Sequence, residues 1–128
     1  MKGTESTIQT PFGTISQSGN LLIADLKPDQ YLNLEATRNI LDALDRLAEG
    51  KRFPLLSVVG KNTIADPESR QYVADTVRKD AISKHAAVVT TFGQQLIGNF
   101  FVAFNKPIVP TKIFSNRESA LEWLQTED

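Results

Sequence analysis

The last third of the chain constrains the fold most, because residues 96–124 hold a helix, a strand and a second helix in close succession. A strongly apolar helical pattern stops at Pro107, a residue that cannot continue a helix. The run Thr111–Phe114 has the composition of a strand, and Ser115 with Glu118 forms the S-x-x-E pattern of a capping box. These short connections predict one compact α/β unit.

The preceding residues continue the alternation of strands and helices. Asn33 is a candidate N-cap of an amphipathic helix that ends near Gly50, and Asp66-Pro67 begins a second helix that runs to about Lys79. Alternating strands and helices favour an α/β fold with a mixed, mostly parallel sheet in the order β-β-α-β-α-β-α-β-α. The other predicted elements are a hairpin of residues 8–16 and 21–26, strands 55–59 and 86–91, and a third helix capped by Thr91.

Length and composition place the chain among single-domain proteins. Its 128 residues predict one domain over 1–128, with the polar residues 1–7 frayed. Near-neutral charge, from 14 basic and 15 acidic residues, argues against a nucleic-acid partner. The chain has no cysteine, no signal-peptide pattern and no apolar run of about 20 residues that could cross a bilayer. We therefore expect a cytoplasmic protein that is not transmembrane.

Few residues could support catalysis. His85 is the only histidine and precedes a predicted strand, so we interpret it as a loop or strand-edge residue. The glycines match neither nucleotide-binding pattern; Gly60 reads as a strand end and Gly98 as a packing residue. The sequence shows no nucleophile–base pair and no cluster of metal ligands. We expect no enzymatic activity and no cofactor or metal.

The third predicted helix carries more large apolar side chains than a narrow core contact needs. Its periodicity favours a buried role for most of them. The alternative is that some form a dimer surface or open onto an apolar groove. The candidate interface or groove residues are Phe100, Phe101, Phe104, Ile108 and Val109.

The sequences LIGNFF at 96–101, FNKP at 104–107 and PTK at 110–112 resemble the SpoIIAA-like proteins of the STAS superfamily. These are small bacterial proteins, often called STAS and Sec-fourteen-type domain proteins. The resemblance also covers residues 118–124 and extends upstream to about Leu21. It implies a sheet with helices packed largely on one face, and a non-enzymatic, regulatory role through protein contact.

The resemblance also points to a candidate switch region. STAS antagonists carry a phosphorylated serine at the start of the helix that follows the core strand. Here Ala65–Glu68 occupies that place and contains no serine. Thr63 and Ser69 flank it as hydroxyl candidates, with Asp66 between them.

The family further implies two kinds of partner. One is protein: a regulatory protein, as the resemblance implies, or a second copy of the chain in a homodimer, which we expect instead from apolar surface on a helix or at a strand edge. The other, suggested by the Sec-fourteen-type lipid carriers, is a small apolar molecule or lipid in a groove at the third helix, beside Phe100, Phe101 and Phe104.

Overall fold

The chain folds into a mixed β-sheet with helices on both faces. The structure, a computed structural model, describes residues 6–77 and 81–126. The helices are α1 (Leu34–Ala48), α2 (Pro67–Thr76), α3 (Phe92–Phe100) and α4 (Arg117–Gln125), and α3 continues into a π-helical turn, Phe101–Asn105. The strands are β1 (Ser6–Thr10), β2 (Gly13–Ser18), β3 (Leu21–Leu26), β4 (Tyr31–Leu32), β5 (Phe53–Val59), β6 (Ile64–Ala65), β7 (Ile82–Val88) and β8 (Thr111–Phe114).

Six strands form the main sheet, in the order β1-β2-β3-β5-β7-β8. The pairs β1/β2 and β2/β3 are antiparallel, and β3/β5, β5/β7 and β7/β8 are parallel. This confirms the predicted α/β class with a mostly parallel sheet and an antiparallel start. The strands β4 and β6 form a separate parallel pair that the sequence did not predict.

Side chains alternate between two separate cores, one on each face of the sheet. In β5, Leu55 belongs to the core shared with α1, whereas its neighbour Leu56 packs with Ala120 and Leu124 of α4. The register of β7 against β5 shifts between Phe53 and Leu55. The helices α1, α2 and α3 lie on the Leu55 face and α4 covers the other, so the helices pack largely on one face, as the resemblance implies.

Three predicted helix starts are confirmed by their caps. Asn33 accepts a hydrogen bond from the backbone N–H of Ala36 at 2.9 Å, and Asp66 accepts one from Ser69 at 2.8 Å. Thr91 forms a full capping box with Gln94. These side chains satisfy amides that the first helical turn leaves without partners.

The predicted cap of α4 is wrong by one residue. Asn116, and not Ser115, is the N-cap, and it accepts from the backbone N–H of Ser119 at 2.8 Å. Both side chains are suitable caps, and the extended conformation of Asn116 decides between them. The predicted left-handed conformation of Gly50 after α1 is confirmed, and the C-cap Glu49 before it is left-handed as well. Lys106, after the π-helical turn, is a further non-glycine residue with positive φ. The helix α2 ends at Thr76; Lys79, its predicted end, lies outside the described residues.

Strand boundaries differ more from the prediction. The predicted strand 8–16 is two strands, because Thr10 accepts hydrogen bonds from Phe12 N–H and Gly13 N–H and so fixes a turn. Ser6 and Thr7 are not frayed, since both pair with β2; Met1–Glu5 lie outside the described residues. The strand β7 begins at Ile82 rather than Ala86.

Within the described residues, no helix combines the length and apolar character needed to cross a membrane.

Candidate functional site: a partly open cavity and an exposed aromatic stripe

A cavity of about 200 Å³ lies between the sheet and the helices α1, α2 and α3. Most of its wall is aliphatic, including Ile40 and Leu44 of α1 and Ile97 of α3. The polar residues that line it are Thr37, Ser57, Thr63, Arg70, His85, Gln94 and Thr111. The cavity is partly open to the surface. A mainly apolar pocket with a few polar groups is typical of a small-molecule site.

Two of these polar residues are hydrogen bonded to each other on the part of the sheet that lines the cavity, which we call its floor. The hydroxyl oxygen of Ser57 lies 2.8 Å from Nε2 of His85, which links β5 to β7. Burial lowers the pKa of His85 to about 4, so its imidazole is neutral at pH 7. The sequence interpretation of His85 as a loop or strand-edge residue is wrong, because His85 lies within β7, which is paired with β5 on one side and β8 on the other.

The side chain of Thr37 lines the cavity from α1. It is 5 % exposed, and its hydroxyl oxygen has no hydrogen-bond partner among the described residues. A buried hydroxyl without a partner costs roughly 1–3 kcal/mol, so the position calls for an explanation.

Gln94 lines the cavity from the start of α3 and is fully engaged. Its Nε2 donates to the carbonyls of Gly60 and Thr63, each at 2.9 Å, and its Oε1 accepts from the backbone N–H of Thr90 and Thr91. It therefore fixes the first turn of α3 to the loop after β5. Gly60 is needed in that loop, because a Cβ there would lie 2.6 Å from the carbonyl oxygen of Leu26.

The outer surface of α3 and the segment after it expose a row of large apolar side chains. We call Phe92, Leu96, Phe100, Phe104 and Ile108 the aromatic stripe. Their exposed fractions run from 48 % to 74 %. The rings of Phe100 and Phe104 stack with centroids 4.4 Å apart. Contiguous exposed apolar surface of this kind is typical of a contact site.

The structure divides the predicted interface residues. Phe100, Phe104 and Ile108 are exposed, whereas Phe101 and Val109 are buried at 8 % and 2 % exposure. The side chain of Phe101 lines the cavity instead, and Val109 belongs to the core. Gly98 is a packing residue as predicted, since a Cβ there would lie 3.0 Å from the side chain of Ile113.

The candidate switch region offers no accessible hydroxyl. Thr63 is 1 % exposed and Ser69 is 0 % exposed. The Thr63 hydroxyl donates to Lys27 O and accepts from Gln30 N–H, so it holds the loop before β4. Hydrogen bonding from Ser69 keeps the pKa of the Asp66 carboxyl below its ordinary value. The three residues act locally as turn and cap.

The other face of the sheet holds a buried ammonium group. Lys84 is 6 % exposed, and its Nζ donates to the carbonyls of Trp123 and Thr126 and to the Thr126 hydroxyl at 2.6–3.0 Å. The same ammonium lies 4.8 Å from the centre of the Trp123 ring. A cation at the end of a helix satisfies carbonyls that have no intrahelical partner and complements the helix dipole.

Sequence reasoning missed Ser57, Thr37 and Lys84 as well as the position of His85. The available signal was a serine inside the apolar run LLSVV of β5, where a polar side chain needs a partner. The partner of Ser57 is 28 residues away in the chain, and only the register of β5 against β7 brings the two together.

The arrangement and the comparisons define the class of this protein as an α/β domain with a SpoIIAA-like fold. A similar solved structure is an uncharacterized protein of the DUF3478 family, with a SpoIIAA-like fold, from Shewanella loihica PV-4. The match has a TM-score of 0.56 and 13 % sequence identity, and it covers 94 % of this chain and 91 % of the other. The predicted fold is thereby confirmed.

Residues 15–127 match the family described as a domain of unknown function, DUF7793. The chain belongs to that family. No curated protein matches the chain significantly.

Proposed function

We propose that this chain is a cytoplasmic, non-enzymatic STAS-like module of a regulatory kind, which acts through protein contact at the aromatic stripe. The observation that carries the proposal is the exposure of Phe92, Phe100 and Phe104, at 52–74 %, on one helical segment. Aromatic side chains dominate the binding energy of many protein interfaces, because they bury a large area with little loss of rotamer freedom.

A second copy of the chain is the partner that fits this surface. The segment Phe92–Asn105, which carries most of the stripe, contains no charged residue. A two-fold interface places the same patch against itself, so an uncharged apolar patch meets its copy without like-charge repulsion. The stacked Phe100 and Phe104 would lie near the centre of that contact.

The experiment measures mass in solution by analytical ultracentrifugation over a concentration series. We expect the unmodified chain to sediment at twice 14.2 kDa, and the double variant Phe100→Ser, Phe104→Ser to sediment as a monomer. Loss of two aromatic anchors should raise the dissociation constant at least ~30-fold, the equivalent of about 2 kcal/mol.

The matched control is Asn99→Ser, which changes an exposed polar residue of the same helix and should leave the dimer intact. Circular dichroism must show that the double variant is folded. An unmodified chain that stays at 14.2 kDa at every concentration would reject the second copy as partner.

The pair Ser57–His85 supports this non-enzymatic proposal despite its resemblance to a nucleophile and base. A general base works best when its pKa is close to the working pH, and burial lowers the pKa of His85 to about 4. Within the described residues, no acidic side chain is hydrogen bonded to this imidazole.

A second candidate function is the binding of a small apolar molecule in the third-helix region. The observation that favours it is the cavity beneath α3, whose wall includes Ile97, Gly98 and Phe101. This candidate places the ligand inside the domain, whereas the groove expected from the sequence lies on the outer surface.

A further inference from the structure

Two residues that line the cavity have a polar side-chain atom with no hydrogen bond within the described residues. The hydroxyl oxygen of Thr37 has no hydrogen-bond partner, although the residue is only 5 % exposed. Nδ1 of His85 also makes no hydrogen bond within the described residues. Both residues line the same cavity, one from α1 and one from the sheet.

The Ser57–His85 pair keeps one free donor in either tautomer of the neutral imidazole. If Nε2 accepts from the Ser57 hydroxyl, the proton of the ring is on Nδ1 and that N–H is free. If Nε2–H donates instead, the Ser57 hydroxyl hydrogen is free. The floor of the cavity therefore presents a donor hydrogen next to aliphatic walls, and so it favours a ligand that has an oxygen acceptor.

The volume limits the size of that ligand. An apolar cavity of about 150 Å³ in another protein holds benzene, whereas pockets for drug-sized molecules measure about 300–1,000 Å³. The cavity of about 200 Å³ is thus suited to a single ring or a short branched chain. It is too small to enclose a membrane lipid.

We infer that the cavity between the sheet and α1–α3 binds a small, uncharged, mainly apolar molecule with one hydroxyl or carbonyl oxygen, held by Thr37, Ser57 and His85. This inference rests on the second candidate function and adds the chemical class of the ligand and the residues that recognise it. Arg70 also lines the cavity, and its guanidinium donates to the backbone carbonyl of Ala65 at 2.6 Å. The rest of the lining is aliphatic or neutral, so an uncharged ligand enters it with less loss of solvation than an ion.

The test compares phenol with benzene, two probes of nearly equal size that differ in one hydroxyl. Binding to the full chain is measured by titration calorimetry, with methyl NMR shifts of Ile40 and Leu44 to place the probe in the cavity. We expect phenol to bind about tenfold more tightly than benzene, the effect of one hydrogen bond that benzene cannot make.

The variants Thr37→Val and Ser57→Ala should each reduce that preference while benzene still binds. Thr14→Val is the matched control, because it removes a hydroxyl that bonds only to Gln9 on the surface. Equal affinity of the unmodified chain for the two probes would overturn the assignment of a polar ligand and leave the second candidate function standing. Failure of both probes to bind would reject the cavity as a ligand site and that candidate function with it.

Discussion

The two faces of the sheet differ in how completely the chain fills the core and provides partners for its buried polar groups. On the α4 face, Leu56 and Ala86 are 0 % exposed, and the buried ammonium of Lys84 is hydrogen bonded to carbonyls at the end of α4. On the other face, the same strands border a cavity of about 200 Å³ in which Thr37 has an unpaired hydroxyl. One face is complete within the described chain; the other has both the room and the hydrogen-bonding groups for a further molecule.

The largest expected effect on stability comes from substituting two neighbouring leucines of β5, one on each face of the sheet. Leu56→Ala should lower the free energy of unfolding by about 4 kcal/mol, since it removes a side chain from a filled core. Leu55→Ala should cost about 1 kcal/mol less, because Leu55 borders the cavity and has fewer contacts to lose. Urea unfolding of both variants measures the difference; equal losses would mean that the two faces are packed alike.

A second expectation concerns pH and belongs to the cavity face. The pKa of His85 is about 4 in the folded chain and about 6.5 when unfolded, so between these values the unfolded state binds a proton that the folded state does not. Stability should therefore be complete above pH 6.5 and fall by about 3 kcal/mol as the pH drops to 4.

His85→Gln provides the control for this pH effect, because it keeps a hydrogen-bonding side chain next to Ser57 but cannot titrate. The pKa of the Asp66 carboxyl is lowered from its ordinary value of 3.8, so its titration affects stability only at a more acidic pH. Denaturation curves measured from pH 7 to pH 4 give the free energy of unfolding at each pH. In the variant, this free energy should depend much less on pH. An unchanged dependence on pH would place the responsible group elsewhere.

The smallest expected effect compares two neighbouring alanines of β7. Ala87 lines the cavity, so Ala87→Val should raise the free energy of unfolding by about 1 kcal/mol through added apolar burial. Ala86 is 0 % exposed in the filled core, so Ala86→Val should destabilise by about 2 kcal/mol through overpacking. Thermal unfolding gives the sign for each, and two changes of the same sign would contradict the difference between the faces.

Much of the fold was predictable because its signals are local. The caps Asn33, Asp66 and Thr91 each bond to an amide three residues later, so the sequence contains both the cap and the start of its helix. The predicted start of β7 was wrong because Lys84 and His85 look too polar for a central strand. Their partners, Thr126 and Ser57, are 42 and 28 residues away and become visible only in three dimensions.

The candidate site was less predictable for the same reason. The sequence indicated an apolar surplus in the third helix, but Phe100 and Phe101 are adjacent and their opposite roles depend on how the helix docks. The cavity is formed by the spacing between three helices and a sheet, which no single segment determines. A lone serine within an apolar strand was the only local signal of its polar floor.

The contact between Lys84 and Thr126 also bears on the order of events during synthesis. Its two ends are 42 residues apart, so the ammonium of Lys84 remains in water until α4 has been made and has docked. Until then the apolar side chains of Ala86 and Val88 on the same face also lack their cover. A nascent chain stalled before α4 would therefore expose an apolar sheet surface, to which a chaperone or another unfinished chain could bind.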